Sequence, residues 1–236
     1  MRTYPTAAGW ARLGTLLTLL PLLALLVGCS RRVTTPTTRL YHSLTARYNT
    51  LYNGETAYTT SLESFVEALQ EDYLSPLTLD PLTPLVRSAR PAGNFARSIS
   101  KAEKAIQEHS LQRKPAKRPG WRRDPKAVAE QAKTEYNPAL PSAWLLWGKS
   151  LFYEGRIDEA QATFAEMAQL YVTERDERDQ ALLWQARCYL QQDRLGESLL
   201  LIQRVDSTPQ AIARYPLLYH TTRAEYYLLS GARARA

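Results

Sequence analysis

The residues that could do chemistry are few. His42, His109 and His220 lie far apart along the chain, in a spacing that matches no metal-ligand motif. The chain has no HExxH, no GxSxG and no phosphate-binding glycine loop. Its many acidic residues stand beside basic ones on amphipathic patterns, as solvated helix faces do. Cys188 falls within an apolar helical pattern with no activating base beside it, and reads as a small core residue. These observations predict a protein without catalytic residues, metal or cofactor.

The other cysteine has a different setting. Arg2 and Arg12 flank an apolar run from Leu13 to Val27. That run is short of the roughly 20 residues that cross a bilayer, and with its basic flank it reads as a secretory signal. The run ends Leu25-Leu26-Val27-Gly28-Cys29, which resembles a bacterial lipobox. The resemblance implies cleavage after residue 28 and acylation of Cys29. Acyl chains hold a protein on a membrane by about 0.8 kcal/mol per buried methylene. Residues 29–37 then read as a Thr/Pro tether. The second mature position is Ser30, not aspartate, and by resemblance to sorting signals this implies the outer membrane, facing the periplasm. The net charge is +7, and without Arg2 and Arg12 it is +5, well short of a nucleic-acid-binding balance.

Two tryptophans three positions apart, Trp144 and Trp147, could suggest a ligand pocket. The stretch that holds them fits a 34-residue helix-turn-helix repeat better. Counted from Pro141, Trp144 takes position 4, Trp147 position 7, Gly148 position 8, Leu151 position 11, Gly155 position 15, Ala160 position 20 and Phe164 position 24. Small residues are needed where two helices cross, and aromatic residues fill the gaps. The pattern returns with Ala186, Tyr189, Ser198 and Ile202, and at the same offset again with Ala224, Tyr227 and Gly231. That offset is slightly longer than the standard repeat, and longer connections at "TERDER" and "DSTPQ" account for the excess. The predicted fold is all-α, a right-handed solenoid of helical hairpins of the tetratricopeptide type. Residues 138–236 carry two complete repeats and a third cut after its first helix.

Upstream of the repeats, residues 38–110 are predicted to hold a helical hairpin, a Pro-rich linker and a third helix. The hairpin would pack the stripe Leu40, Tyr41, Leu44, Tyr48, Leu51 and Tyr52, turn at Asn53-Gly54-Glu55, and return with Leu62, Phe65, Val66 and Leu69. Four prolines between residues 74 and 93 bar a helix there. Asn94 can cap a helix ending near His109. Residues 111–137 read as a basic Pro-rich linker. Its stretch from 113 to 126 holds seven basic side chains around Trp121 and one acid, Asp124. That pattern suits a solvated loop, or a contact for an acidic partner, lipid headgroups or peptidoglycan.

Repeat scaffolds bind on the concave side, lined by first helices. The register places Leu145, Lys149, Phe152 and Tyr153 there from one unit and Leu183, Arg187 and Gln191 from the next. Lys149 and Arg187 would favour an acidic or C-terminal peptide.

Several blocks resemble a known family. "RLYHSLTARYNTLYNGETAY", "KAIQEHS" and "EYNPALPSAW", in that order after a lipobox, resemble the PorW or SprE lipoproteins of the type IX secretion system of Bacteroidetes-type bacteria. The resemblance runs from about residue 25 to 205. It implies a non-enzymatic outer-membrane lipoprotein in the periplasm, needed for export of proteins with C-terminal signals and, in gliding species, for motility. The implied partners are the ring of the PorK lipoprotein and PorN, and the outer-membrane translocon. The family carries more repeats beyond this point. Two other readings stay open from the residues alone. One is a repeat adaptor of outer-membrane protein assembly. The other is a glycan-binding lipoprotein with Trp121 or Tyr153 as stacking platform.

Overall fold

A computed structural model describes residues 33–67 and 94–231. The signal segment 1–28, Cys29, the start of the tether, Leu69 and the Pro-rich stretch 74–93 lie outside the described residues. The described residues form helices and loops, with no strand among them.

The N-terminal region opens on Thr35. Its hydroxyl accepts the Thr38 N–H at 3.1 Å, and the Thr38 hydroxyl accepts the Thr35 N–H at 2.8 Å. This reciprocal cap, with Pro36 next, starts α1 (Pro36–Thr45). A π-helical segment (Ala46–Leu51) continues it directly into α2 (Tyr52–Glu67). The predicted turn at residues 53–55 is therefore absent. Gly54 sits inside a continuous helix because another helix crosses there. A Cβ on it would stand 2.9 Å from Leu146 Cδ2 and 3.1 Å from Lys101 Cβ. The partner of this long helix is α3 (Ala96–His109), packed against both α2 and the π segment. Asn94 Oδ1 accepts the Ala96 N–H at 3.1 Å at its start. Phe95, Ile99 and Ala102 are buried along it.

The side of the long helix that packs is not the one its apolar residues suggest. Leu40, Tyr41, Leu44, Tyr48 and Tyr52 are exposed, at 61, 44, 47, 65 and 64 % of their area. Thr38, His42, Ala46 and Thr50 are buried, at every fourth position. Only Leu51 of the predicted stripe reaches the core, and Val66 of its return stripe is exposed. Small and polar residues let α3 approach closely: Ala46 and Leu51 pack in one cluster with Ala102 and Ala105, and the His42–His109 contact adds a polar tie.

Beyond α3 the chain passes through a short 3₁₀ turn (Trp121–Arg123) into α4 (Pro125–Ala132), capped by Asp124 Oδ1 on the Lys126 N–H at 3.0 Å. The stretch predicted as linker thus contains a helix of its own. Then come α5 (Leu140–Tyr153), α6 (Ile157–Leu170), α7 (Arg175–Gln191), α8 (Leu195–Asp206), a short α9 (Pro209–Arg214) and α10 (Pro216–Leu229). Each of α5 to α8 packs on its chain neighbour, and α10 packs on α7 and α8. The two stretches predicted as longer connections are largely helical. One lengthens α7 at its start, and the other ends α8 and begins α9.

The hairpins are built on aromatic packing. The Phe164 ring stacks on Trp184 at 5.8 Å with 17° between planes, and Phe152 meets the same indole edge-on at 5.7 Å. A Cβ on Gly148 would lie 2.4 Å from the Phe164 ring, so only glycine lets α5 and α6 cross there. The turns repeat as well. Gly155, Asp193 and Gly231 have φ of 83°, 57° and 78° and follow one another at equal intervals along the chain. Arg156 N–H bonds Leu151 O at 2.9 Å and Gly155 N–H bonds Phe152 O at 3.1 Å, a Schellman motif. Arg194 and Asp193 repeat both bonds, to Tyr189 O at 2.9 Å and Leu190 O at 3.3 Å.

Candidate functional site

The end of α3 and the start of α5 meet α1 at a polar junction. Glu135, only 5 % exposed, organises it. Its Oε1 accepts backbone N–H groups of Leu111 at 2.9 Å, Tyr136 at 2.9 Å and Asn137 at 2.7 Å. Its Oε2 accepts the Ser110 hydroxyl at 2.6 Å. Asn137 Nδ2 donates to His109 O at 2.9 Å, and its Oδ1 accepts the Ala139 N–H at 3.0 Å, which leads into α5. From the other side His42 and His109 bring their Nδ1 atoms to 3.1 Å, both rings buried. One ring must donate and the other accept, so the contact holds at most one proton. The Arg39 guanidinium lies 4.9 Å over the Tyr136 ring and pairs with Glu130.

A groove of about 480 Å³ opens beside this junction, lined by Arg39, Leu40, Glu130, Lys133, Tyr171 and Glu174 among others. Burial opposes ionisation of Glu130, but the Arg39 hydrogen bond and the Lys133 charge hold its carboxyl below the usual range. Tyr171 is buried, with no hydrogen-bond partner for its hydroxyl. Burial, with Glu135, Glu174 and Glu177 nearby, pushes that phenol far above its ordinary value. The groove can bind and orient, but among its lining residues no nucleophile is paired with a base. Among the described residues no group of three or more His, Cys, Asp or Glu could hold a metal.

The face predicted to bind peptide is closed. Phe152, Tyr153, Leu183 and Arg187 are buried, at 0, 8, 0 and 5 % exposure. Leu145, Lys149 and Gln191 are half-buried. The N-terminal helices cover one end: Tyr58 of α2 and Phe95 lie 6.3 and 6.2 Å from the Tyr153 ring. Lys149 Nζ sits 5.3 Å over Tyr58 and 5.7 Å over Trp184, and burial lowers its pKa against the pull of Glu55. The last helix covers the other end, where Glu225 accepts from Gln191 Nε2 at 3.0 Å and lies 4.0 Å from Arg187. Lys149 and Arg187 thus meet aromatic rings and an internal acid where a peptide was expected. The sequence reading missed this because it treated the repeats apart from the helices before and after them.

The repeat positions are structural. Leu151, Ala160, Phe164, Ala186, Ser198 and Ile202 are buried, as is Trp144. Trp147 is half-buried against the core with its ring 5.6 Å from Trp144, so neither indole is a free stacking platform. Tyr189, Ala224 and Tyr227 are half-buried, and Arg194 covers the Tyr189 ring at 4.6 Å. Tyr153, offered as a glycan platform, is enclosed by rings.

No protein-family model matches this chain, and none of the curated proteins matches it. Among the described residues no helix is long and apolar enough to cross a membrane. What sequence reasoning missed is the junction. His42 and Asn137 each reach His109, across 67 and 28 residues of sequence. The signal that could have found them is the set of blocks themselves, each carrying an unexplained polar residue.

Proposed function

We propose that this protein is a lipid-anchored, non-enzymatic scaffold of the type IX secretion machinery, built on tetratricopeptide-type hairpins and held on the periplasmic side of the outer membrane through Cys29. In this reading it bridges the PorK–PorN ring and the outer-membrane translocon and supports export of proteins with C-terminal signals. The observation that carries it is the meeting of the three blocks that hold the resemblance. His42 comes from the first, His109 and Ser110 from the second, and Glu135 and Asn137 from the third. Blocks that resemble one family and assemble one joint behave as parts of a single device. The recurrence of the same Schellman turn at Gly155 and Asp193 supports the repeat scaffold.

The test is a clean deletion in the native organism, followed by fractionation of cargo with C-terminal signals. Cargo trapped in the periplasm, with outer-membrane barrels at normal levels, is the expected result. Normal export would overturn the reading, and loss of barrels would point to an assembly adaptor instead. Separately, Cys29→Ala should release the protein from the membrane fraction and remove its lipid label.

A further inference from the structure

The basic segment 113–126 is not a detached loop. The Thr34 hydroxyl donates to Arg113 O, and Gln131 Nε2 donates to Pro115 O at 2.9 Å. Arg118 pairs with Asp124, the segment's single acid. Gly120, at φ 74°, turns the chain so that Trp121 stands between Lys117 Nζ at 5.1 Å and Arg122 Cζ at 5.6 Å. Lys117, Arg122 and Arg123 are exposed and Trp121 is half-exposed. The first turns of α1 adjoin this cluster through Arg39, which pairs with Glu130. Leu40 and Trp121 line two neighbouring grooves that share Glu130. Val33 and Leu40 are exposed at 53 and 61 %.

We infer that Trp121 with its surrounding cations, together with Val33 and Leu40, forms one face that seats on an anionic lipid surface. The inference rests on lipid attachment at Cys29. Thr34 is five positions from that cysteine, so covalent reach keeps it within about 18 Å of the anchor. The bond from Thr34 to Arg113 brings the basic segment into the same zone. The composition fits the boundary between headgroups and acyl chains. Cations meet phosphates, the indole lies at the interface, and the aliphatic side chains enter the apolar edge. An anchor this close makes the bilayer the nearest anionic surface. Each cation near such a surface contributes about fivefold to the docking equilibrium constant.

The experiment uses the full-length protein purified from membranes and placed in phosphatidylglycerol vesicles that contain dibrominated phosphatidylcholine. The mass of its N-terminal peptide first reports whether Cys29 carries lipid. Loss of tryptophan emission is expected. Trp121→Phe should abolish the quenched component, Leu40→Trp in that background should restore it, and zwitterionic vesicles should weaken it. The triple change Lys117→Gln, Arg122→Gln, Arg123→Gln should reduce quenching while circular dichroism stays unchanged. Lipid on Cys29 with Trp121 unquenched would overturn the docking face and leave the anchor. If Cys29 carries no lipid, quenching of protein added to the vesicles keeps the docking face without the anchor, and no quenching overturns both. Sedimentation with peptidoglycan sacculi and an unquenched Trp121 would overturn the lipid face and give it to the cell wall.

Discussion

The helix pair at the N-terminal side and the hairpins that follow are both made of packed helices, yet they are held together in opposite ways. In α5 to α7 the large apolar side chains point inward, and Phe152, Phe164 and Trp184 form one ring cluster. In α1 and its π-helical continuation the large apolar side chains other than Leu51 are exposed, and Thr38, His42, Ala46 and Thr50 are buried beside it. The hairpins need only volume and shape to close. The helix pair joins through small residues, Leu51 and the His42–His109 contact, and it leaves leucine and tyrosine side chains exposed on its other side.

The sharpest way to break this contrast is at the ring cluster. Phe164→Ala should cost roughly 3 to 5 kcal/mol, read as a shift of the urea midpoint for the purified protein. A loss below about 1 kcal/mol would mean the hairpins are not held by this core. At the polar junction, Glu135→Gln keeps the shape and removes the charge that three backbone N–H groups share. It should cost about 2 kcal/mol, measured by the same urea titration. An unchanged midpoint would remove the junction's claim to fasten the end of α3 to the start of α5. The next effect is pH-dependent. Burial pushes the Cys188 thiol above its ordinary range, whereas in the unfolded chain it ionises near about 8.5. Above that pH the folded protein holds a proton that the unfolded chain has released, so stability falls with rising pH. The expected slope is about 1.4 kcal/mol per unit until the folded thiol ionises. Cys188→Ala should flatten it between about pH 8.5 and 10, below the range where tyrosines of the unfolded chain ionise, and thiol reagents should label Cys188 only on unfolding. The smallest effect belongs to the open face. Tyr48→Ser should change stability by no more than about 0.5 kcal/mol, because its ring lies outside the packed side. A large loss would show that Tyr48 packs within the fold.

The hairpins were legible in the sequence because apolar periodicity and packing agree there. Gly148, Leu151, Ala160 and Phe164 announce a helix crossing by size alone, and Gly155 announces a turn. Asp193 was harder, since an aspartate with positive φ is identified only through its repeat offset from Gly155. The N-terminal pair was misread for a physical reason. Periodicity finds the apolar side of a helix, and the rule that this side is the buried one fails when the packed side is built from small and polar residues. Gly54 misled in the same way, because a glycine between polar residues signals a turn as strongly as it signals a close crossing. The cover over the predicted binding residues was not legible because it comes from residues distant in sequence, Tyr58, Phe95 and Glu225.

The π-helical stretch from Ala46 to Leu51 has a consequence for phase. Four residues of an ordinary α-helix overshoot a full rotation by about 40°, so residues chosen every fourth place would wind around the rod. A wider turn closed between residues five apart undershoots instead. The wider turn offsets part of that drift, and Leu40, Leu44, Tyr48 and Tyr52 stay exposed while Thr38, His42, Ala46, Thr50 and Gly54 stay buried. The wide turn acts as a phase corrector in the middle of the rod. Deleting one residue there would keep both halves helical, yet rotate Gly54 away from Leu146 and take Tyr52 out of line with Leu40. The length of that one stretch, more than the identity of any residue in it, keeps the two faces of the helix apart.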